Sequence, residues 1–266
     1  MTEIITIILS TLFTLISPVG LVADQVAEGL IRERLYKADT LAVRIDNVPN
    51  FQLVGGRVDR IRFAGRGIYP IPELRIDTLD VETDPIDLNI DTLQSGKVGF
   101  DAPVQTAAHI ILKTEDLNAL LRSPRVQERL DELRFNLPGT SEREANRYGL
   151  GNLQMAFSAG NRLRITADLQ DRVLNEAVPA VVECSFAIVD GHQLMLIDPI
   201  IVVDNQPVPQ QLLDSFVEGI TPELTLKRFE PQQVIARVIS FELSPDALDV
   251  AIFIRVNPDS PFLAQE

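Results

Sequence analysis

Residues 181–203 read VVECSFAIVDGHQLMLIDPIIVV. Two apolar runs of strand length, rich in Val and Ile, flank Asp190-Gly191. That dipeptide suits a tight hairpin, because its residues tolerate the positive φ that the favoured two-residue turns require. The sequence therefore predicts an antiparallel pair over 181–189 and 193–203. Reading upstream, residues 105–113, 153–157 and 162–169 are also strand-like. From Thr40 the hydrophobic period is two: Leu41, Val43 and Ile45 alternate with Arg44 and Asp46. Residues 57–63 put Asp59, Ile61 and Phe63 on one side and Val58, Arg60 and Arg62 on the other. Leu74 and Ile76 share one face, whereas Leu79 and Val81 fall on the opposite parity, the mark of a bulge or bend that curves a strand. Downstream, residues 223–229, 234–243 and 248–256 continue the strand pattern, with Pro245-Asp246 turning the last pair.

Helices are few. Residues 24–36 are amphipathic through Val26, Ala27, Leu30, Ile31 and Leu35. Thr114 reads as an N-cap, with Glu115 and Asp116 in the first turn of a helix running to Leu121. Pro124 opens another with Val126, Leu130 and Leu133, and residues 209–220 form a third with Leu212, Leu213, Phe216 and Ile220 on one face. Residues 138–150 read as a polar surface loop. Strand and helix do not alternate regularly, which disfavours a parallel doubly wound sheet. The expected class is α+β, mainly antiparallel, a long curved sheet with a few helices laid against it. A helix followed by a three-stranded meander, starting at residues 24 and 209, suggests a weak internal repeat.

Residues 4–23 carry no charge and are long enough to cross a bilayer core. A secretory signal would begin with a base, but the only charge before the run is Glu3, and Leu21 occupies the position where a cleavage site before Asp24 would want a small residue. Pro18 and Gly20 break the run. Three readings stay open: an export signal or uncleaved anchor, a membrane-contacting or cavity-lining helix, and a buried core helix. The expected division is an apolar N-terminal segment, 1–23, and one domain, 24–266.

The 266 residues hold 38 acids and 24 bases, a net charge of −14, which argues against general nucleic-acid binding. One cysteine excludes an internal disulfide, and the two histidines, His109 and His192, are too far apart in sequence to suggest a His-rich metal site. No phosphate loop, dinucleotide fingerprint or nucleophile elbow is present, so no catalytic residue, cofactor or metal is assigned. Cys184 reads as a buried thiol, His109 as a hydrogen-bonded strand residue and His192 as a solvated turn residue. Asp77, Asp80, Glu82, Asp84, Asp87 and Asp91 fit no EF-hand and read as a solvated acidic face. Twenty of the bases are Arg. Arg57, Arg60, Arg62 and Arg66 could form a patch for anionic lipid headgroups, since guanidinium binds phosphate bidentately; the alternative is an ordinary charged strand face.

Six stretches together carry a resemblance: SPVGLVAD (17–24), VRIDNVPNFQLVGGRVDRIRFAGRGI (43–68), LRIDTLDVETDPI (74–86), KTEDLNALLRSP (113–124), GNRLRI (160–165) and VDNQPVPQQLL (203–213). In order and spacing the chain resembles the LmeA-like phospholipid-binding family, in its cyanobacterial-type form. The resemblance implies a TULIP-like architecture, a curved antiparallel sheet around an apolar groove, and non-enzymatic binding of a phospholipid or similar amphiphile. It implies a place at a membrane surface, of envelope or thylakoid type, with transfer between membranes, export, membrane side and protein partners left open. Helix faces supply the candidate groove residues: Leu30, Ile31, Leu212, Leu213 and Phe216. The competing readings are a packed scaffold module of an envelope complex, and a lipid- or glycan-modifying enzyme that would use His109 or clustered acids at a groove mouth.

Overall fold

The computed structural model describes residues 24–46, 55–94, 99–132 and 147–261. Residues 1–23, and with them the apolar run, lie outside the described residues. Helix α1 (Asp24–Arg34) leads into strands β1 (Lys37–Asp46), β2 (Arg57–Val58), β3 (Arg60–Ile71), β4 (Leu74–Thr83) and β5 (Ile86–Asp87). The short helix α2 (Ile90–Gln94), strand β6 (Val104–Lys113) and helices α3 (Thr114–Leu121) and α4 (Pro124–Glu132) follow. Then come β7 (Tyr148–Ser158), β8 (Arg162–Asp171), β9 (Glu176–Val189), β10 (Gln193–Val203), β11 (Gln206–Pro207), α5 (Gln210–Ile220), two 3-10 segments, β12 (Val234–Leu243) and β13 (Ala247–Val256).

The strands divide between a six-stranded sheet, ordered β1-β3-β4-β6-β13-β12, and a five-stranded sheet, β11-β10-β9-β8-β7; β2 and β5 make a separate pair. The pairings between named strands are antiparallel, giving the mainly antiparallel α+β class expected. Alternation explains the shared core. Phe63, Val81, Ala108, Ile110, Ile252 and Ile254 from the large sheet join Phe157, Leu163, Cys184 and Phe186 from the smaller one, with Leu117 and Leu120 of α3 and Ile31 of α1 in the same cluster.

The parity slip of residues 74–81 is real and crosses three strands in register. Ala38, Ile68 and Ile76 are at least half-buried at even positions, while Leu41, Phe63, Leu79 and Val81 are buried at odd ones. The change falls at Gly67, whose φ of 56° a side chain rarely tolerates. A Cβ there would lie 2.6 Å from Cγ of the exposed Asp39 side chain, which would have to swing aside, so it is chiefly the conformation that calls for glycine. At this crease β4 leaves β6, and Arg75 reaches across to Asp116 of α3 at 2.9 Å and to Asp77 at 3.0 Å.

Several expectations change. Residues 223–229 are not a strand: Thr221–Leu224 and Leu226–Gln232 are 3-10 segments, started near Pro222 and stopped by Gln233 at φ 62°. The proposed second meander therefore has only two strands, of which β13 pairs with β6 and β12 with β13 in the same sheet as the first, so the internal repeat is not present. Residues 57–63 are not one strand. The chain breaks at Asp59, and Val58, 1% exposed, packs with Ile86, Leu88, Phe100 and Val104 rather than joining the arginine face. Tyr148, Gly149 and Leu150 belong to β7, not to a surface loop. Thr114 is the first helical residue rather than the cap; its hydroxyl donates to the Pro245 carbonyl at 3.0 Å.

Candidate functional site

The Asp190-Gly191 turn forms as expected, with φ values of 52° and 67°. It sets the register of β9 on β10, and the ladder then aligns one face of the whole five-stranded sheet. Directly paired residues point to the same face, so the pairings can be read as rows. One row is Phe157–Leu163–Cys184, the next Met155–Ile165–Val182–Ile201, then Ala167–Ala180–Val203, then Leu150–Leu169–Val178. Beyond the first row on the other side lie Phe186–Leu196 and Ile188–Leu194. Every residue in these rows is apolar; beyond them the same face turns polar, at Gln206 of β11 beside Val203 and in the row Tyr148–Asp171–Glu176 next to the β8–β9 turn. The opposite face is mixed, and carries the Glu183 carboxylate between Arg162, at 2.8 Å, and Arg164.

Cover is uneven along this apolar face. Phe157, Leu163, Cys184 and Phe186 are at most 8% exposed, closed over by the six-stranded sheet, where Phe186 meets the Phe241 ring edge-on at 6.2 Å between centroids. From Met155–Ile165–Val182 to Leu150–Leu169–Val178 the same face is only half-buried. Ala167 and Ala180, opposite one another, make its floor low. The result is an apolar strip about three rows long, called the trough below, dry at one end and partly covered towards the β8–β9 hairpin.

Both edges of the trough sheet are managed. Asn118 of α3 turns its side-chain amide to β7, donating to Met155 O at 2.7 Å and accepting from Met155 N at 2.8 Å. It thus satisfies an edge strand as a neighbouring strand would. Sequence reading missed this residue; a lone Asn inside a helix, where it has poor propensity, was the available signal. On the far edge, β11 is two residues long and contains Pro207, which donates no hydrogen bond. The chain then enters α5 alongside β10. None of the α5 residues is fully buried: Leu212 and Leu213 are half-buried and Phe216 is 38% exposed. Of the α1 candidates, Ile31 lies in the main core at 7% exposure, and the Leu30 side chain is outside those described.

The arginine candidates are all exposed. Arg60 pairs with Glu82 at 2.9 Å, Arg66 with Asp80 at 2.6 Å, and Arg62 Nε with Asp46 at 3.0 Å; Arg57 stands apart on β2. Arg62 and then Arg44 hold the Asp46 carboxyl below its usual range. His109 Nε2 lies 2.8 Å from Asp249 on the sheet's outer side, and His192 Nδ1 is 3.3 Å from Thr225 Oγ1. Cys184 is buried, which pushes its thiol pKa up. Among the described residues no cluster of His, Cys and acids could hold a metal. A hollow of about 270 Å³ lies where the β9–β10 turn meets the β12 bulge, lined by Ile188, Val238 and Phe241 among others. It is smaller than the few hundred Å³ a drug-sized ligand needs.

A mainly antiparallel α+β architecture whose sheets stay open, with an apolar face across β7 to β10, is consistent with an α+β lipid-binding fold. Residues 15–253 match the family model described as LmeA-like phospholipid-binding, and the chain belongs to that family. No curated protein and no solved structure matches the chain. Among the described residues no helix is long and apolar enough to cross a membrane.

Proposed function

We propose that this protein binds one phospholipid or similar amphiphile without chemical change, with its acyl chains laid along the trough of the five-stranded sheet. The observation that carries the reading is the run of apolar rows from Met155–Ile165–Val182–Ile201 to Leu150–Leu169–Val178, half-buried where a dry core would be closed. Each methylene removed from water contributes about 0.8 kcal/mol, so even partial cover holds a long chain firmly. Leu212, Leu213 and Phe216 of α5 add apolar lining in this reading. Headgroup contact by Arg57, Arg60, Arg62 or Arg66 would exchange a carboxylate partner for a phosphate, which suits the bidentate guanidinium. Residues 24–266 act as one domain at a membrane surface of envelope or thylakoid type, and delivery of lipid between membranes is the extension of this role. Family membership and the negative charge both favour lipid over nucleic acid.

Native mass spectrometry with lipid extraction, on protein purified without detergent, tests the reading. The expected result is a stoichiometric amphiphile whose removal leaves the fold intact. Protein that carries no lipid and takes up no fluorescent phospholipid overturns it, and the packed scaffold module then becomes the better account.

A further inference from the structure

We propose that the tip of the β8–β9 hairpin, Val173-Leu174, is the element that inserts into a phospholipid bilayer, placing the open end of the trough against the membrane. This rests on the lipid-binding reading and names where that site meets its source of lipid. The last apolar row, Leu150–Leu169–Val178, is followed on the same face by Tyr148–Asp171–Glu176, which forms the base of the tip. At the tip Val173 is 73% and Leu174 58% exposed, two adjacent large apolar side chains directed into solvent.

The construction of the tip suits hydrocarbon. In a bilayer, water is absent and each backbone N–H needs an internal partner. Asp171 Oδ1 accepts from Val173 N at 2.9 Å and from Leu174 N at 3.1 Å, so both apolar residues enter with their amides satisfied. The other carboxylate oxygen is held by Arg147 Nε at 2.7 Å, which neutralises Asp171 locally. Asn175 closes the turn at φ 55°, a value asparagine tolerates.

The flanks also match an interface. Arg172 lays its guanidinium across Gly149, where a Cβ would stand 3.0 Å from Nη2. Gly149 pairs with Gln170, so the guanidinium lies behind the apolar pair, at a level where long basic side chains reach headgroups. Tyr148, half-buried with the Arg147 guanidinium 5.3 Å from its ring centre, pairs with Asp171 and so stands between the Arg172 guanidinium and the tip, the depth aromatic residues favour. The chain's net charge of −14 gives no general attraction to anionic lipid, so attachment depends on the apolar tip and salt has little effect on it.

The chain contains no Trp, so Leu174→Trp provides a single reporter. With mixed phosphatidylcholine–phosphatidylglycerol vesicles its emission should shift to the blue and become shielded from iodide. The double variant Val173→Ser/Leu174→Ser should lose vesicle co-sedimentation by roughly tenfold or more, and take lipid from vesicles more slowly. It should still bind a short-chain phospholipid supplied below its micelle concentration, because the trough is untouched. Vesicle binding unchanged in the double variant, or an unshifted emission from the Leu174→Trp protein, overturns the tip. Wild-type protein that binds the soluble lipid but stays in the supernatant when vesicles are pelleted also overturns the tip while sparing the trough. Wild-type protein that takes no lipid in either form overturns the lipid-binding reading instead.

Discussion

Ala180 and Ala167 face each other across β9 and β8 in the half-buried middle of the trough. Ala180→Phe would put a ring on the floor of the proposed acyl-chain path. A phenyl ring displaces about four methylenes, each contributing about 0.8 kcal/mol, so affinity should fall by about 3 kcal/mol, roughly a hundredfold. Because the site is only half-buried, the ring adds apolar contact without overpacking a closed core, and stability should change by less than about 1 kcal/mol. Thr166→Phe is the control: in register with Val181 and adjacent to Ala167, it places the same ring on the opposite face of the sheet. Displacement of a fluorescent phospholipid reads affinity, and urea denaturation confirms the fold. If Ala180→Phe unfolds at the wild-type urea concentration and binds lipid within about threefold of wild type, the trough is not where the chains lie. A loss of binding in both variants would equally refute the assignment to this face.

Other outcomes follow from single contacts. Gly67→Ala places a side chain at φ 56° and makes the exposed Asp39 carboxylate swing aside, and should cost about 1–2 kcal/mol in urea denaturation; no measurable loss would mean the crease has room to relax. Asn118→Ala removes both bonds to Met155 and leaves a strand N–H and C=O unpartnered, so about 2–3 kcal/mol should be lost, with protection of the Met155 amide from hydrogen exchange falling first. Asp171 is held down to about 2, first by Arg147, against burial, with further help from the Leu174 and Val173 amides. Its folded value lies below the ordinary 3.8, so its contribution to stability is complete above that value and disappears as pH falls through about 2. Asp171→Asn should flatten this part of the acid denaturation curve, and a carboxyl NMR titration with a midpoint at 3.8 would contradict the pairing.

Much of the local structure is legible without coordinates. Alternation in residues 41–45 and 105–113, the Asp190-Gly191 turn and the parity change between Ile76 and Leu79 all report the side-chain environment of one strand, which is a property of short sequence. Residues 223–229 misled because Leu224, Leu226 and Phe229 also alternate loosely, while Pro222 and the tertiary site for buried Leu224 and Phe229 select tight helical turns. Arginines at 60, 62 and 66 read alike as cations, but each has a carboxylate waiting on the neighbouring strand or across the sheet, at Glu82, Asp46 and Asp80. Asn118 gave almost no signal, since its partner, Met155, is distant in sequence.

By itself, then, the sequence determined the antiparallel α+β class, the positions of most strands and the family, because these rest on local alternation, turn chemistry and motif order. Only the tertiary structure decided that β13 and β12 extend the sheet from β6 rather than form a second meander, and that the smaller sheet has an apolar face running across β7, β8, β9 and β10. It also decided which part of that face is dry. Leu163 and Leu169 look the same in sequence, yet one is buried under the large sheet and the other stands half-covered in the trough. The reason is physical: alternation states which side of a strand avoids water, while what covers that side depends on elements far away in the chain.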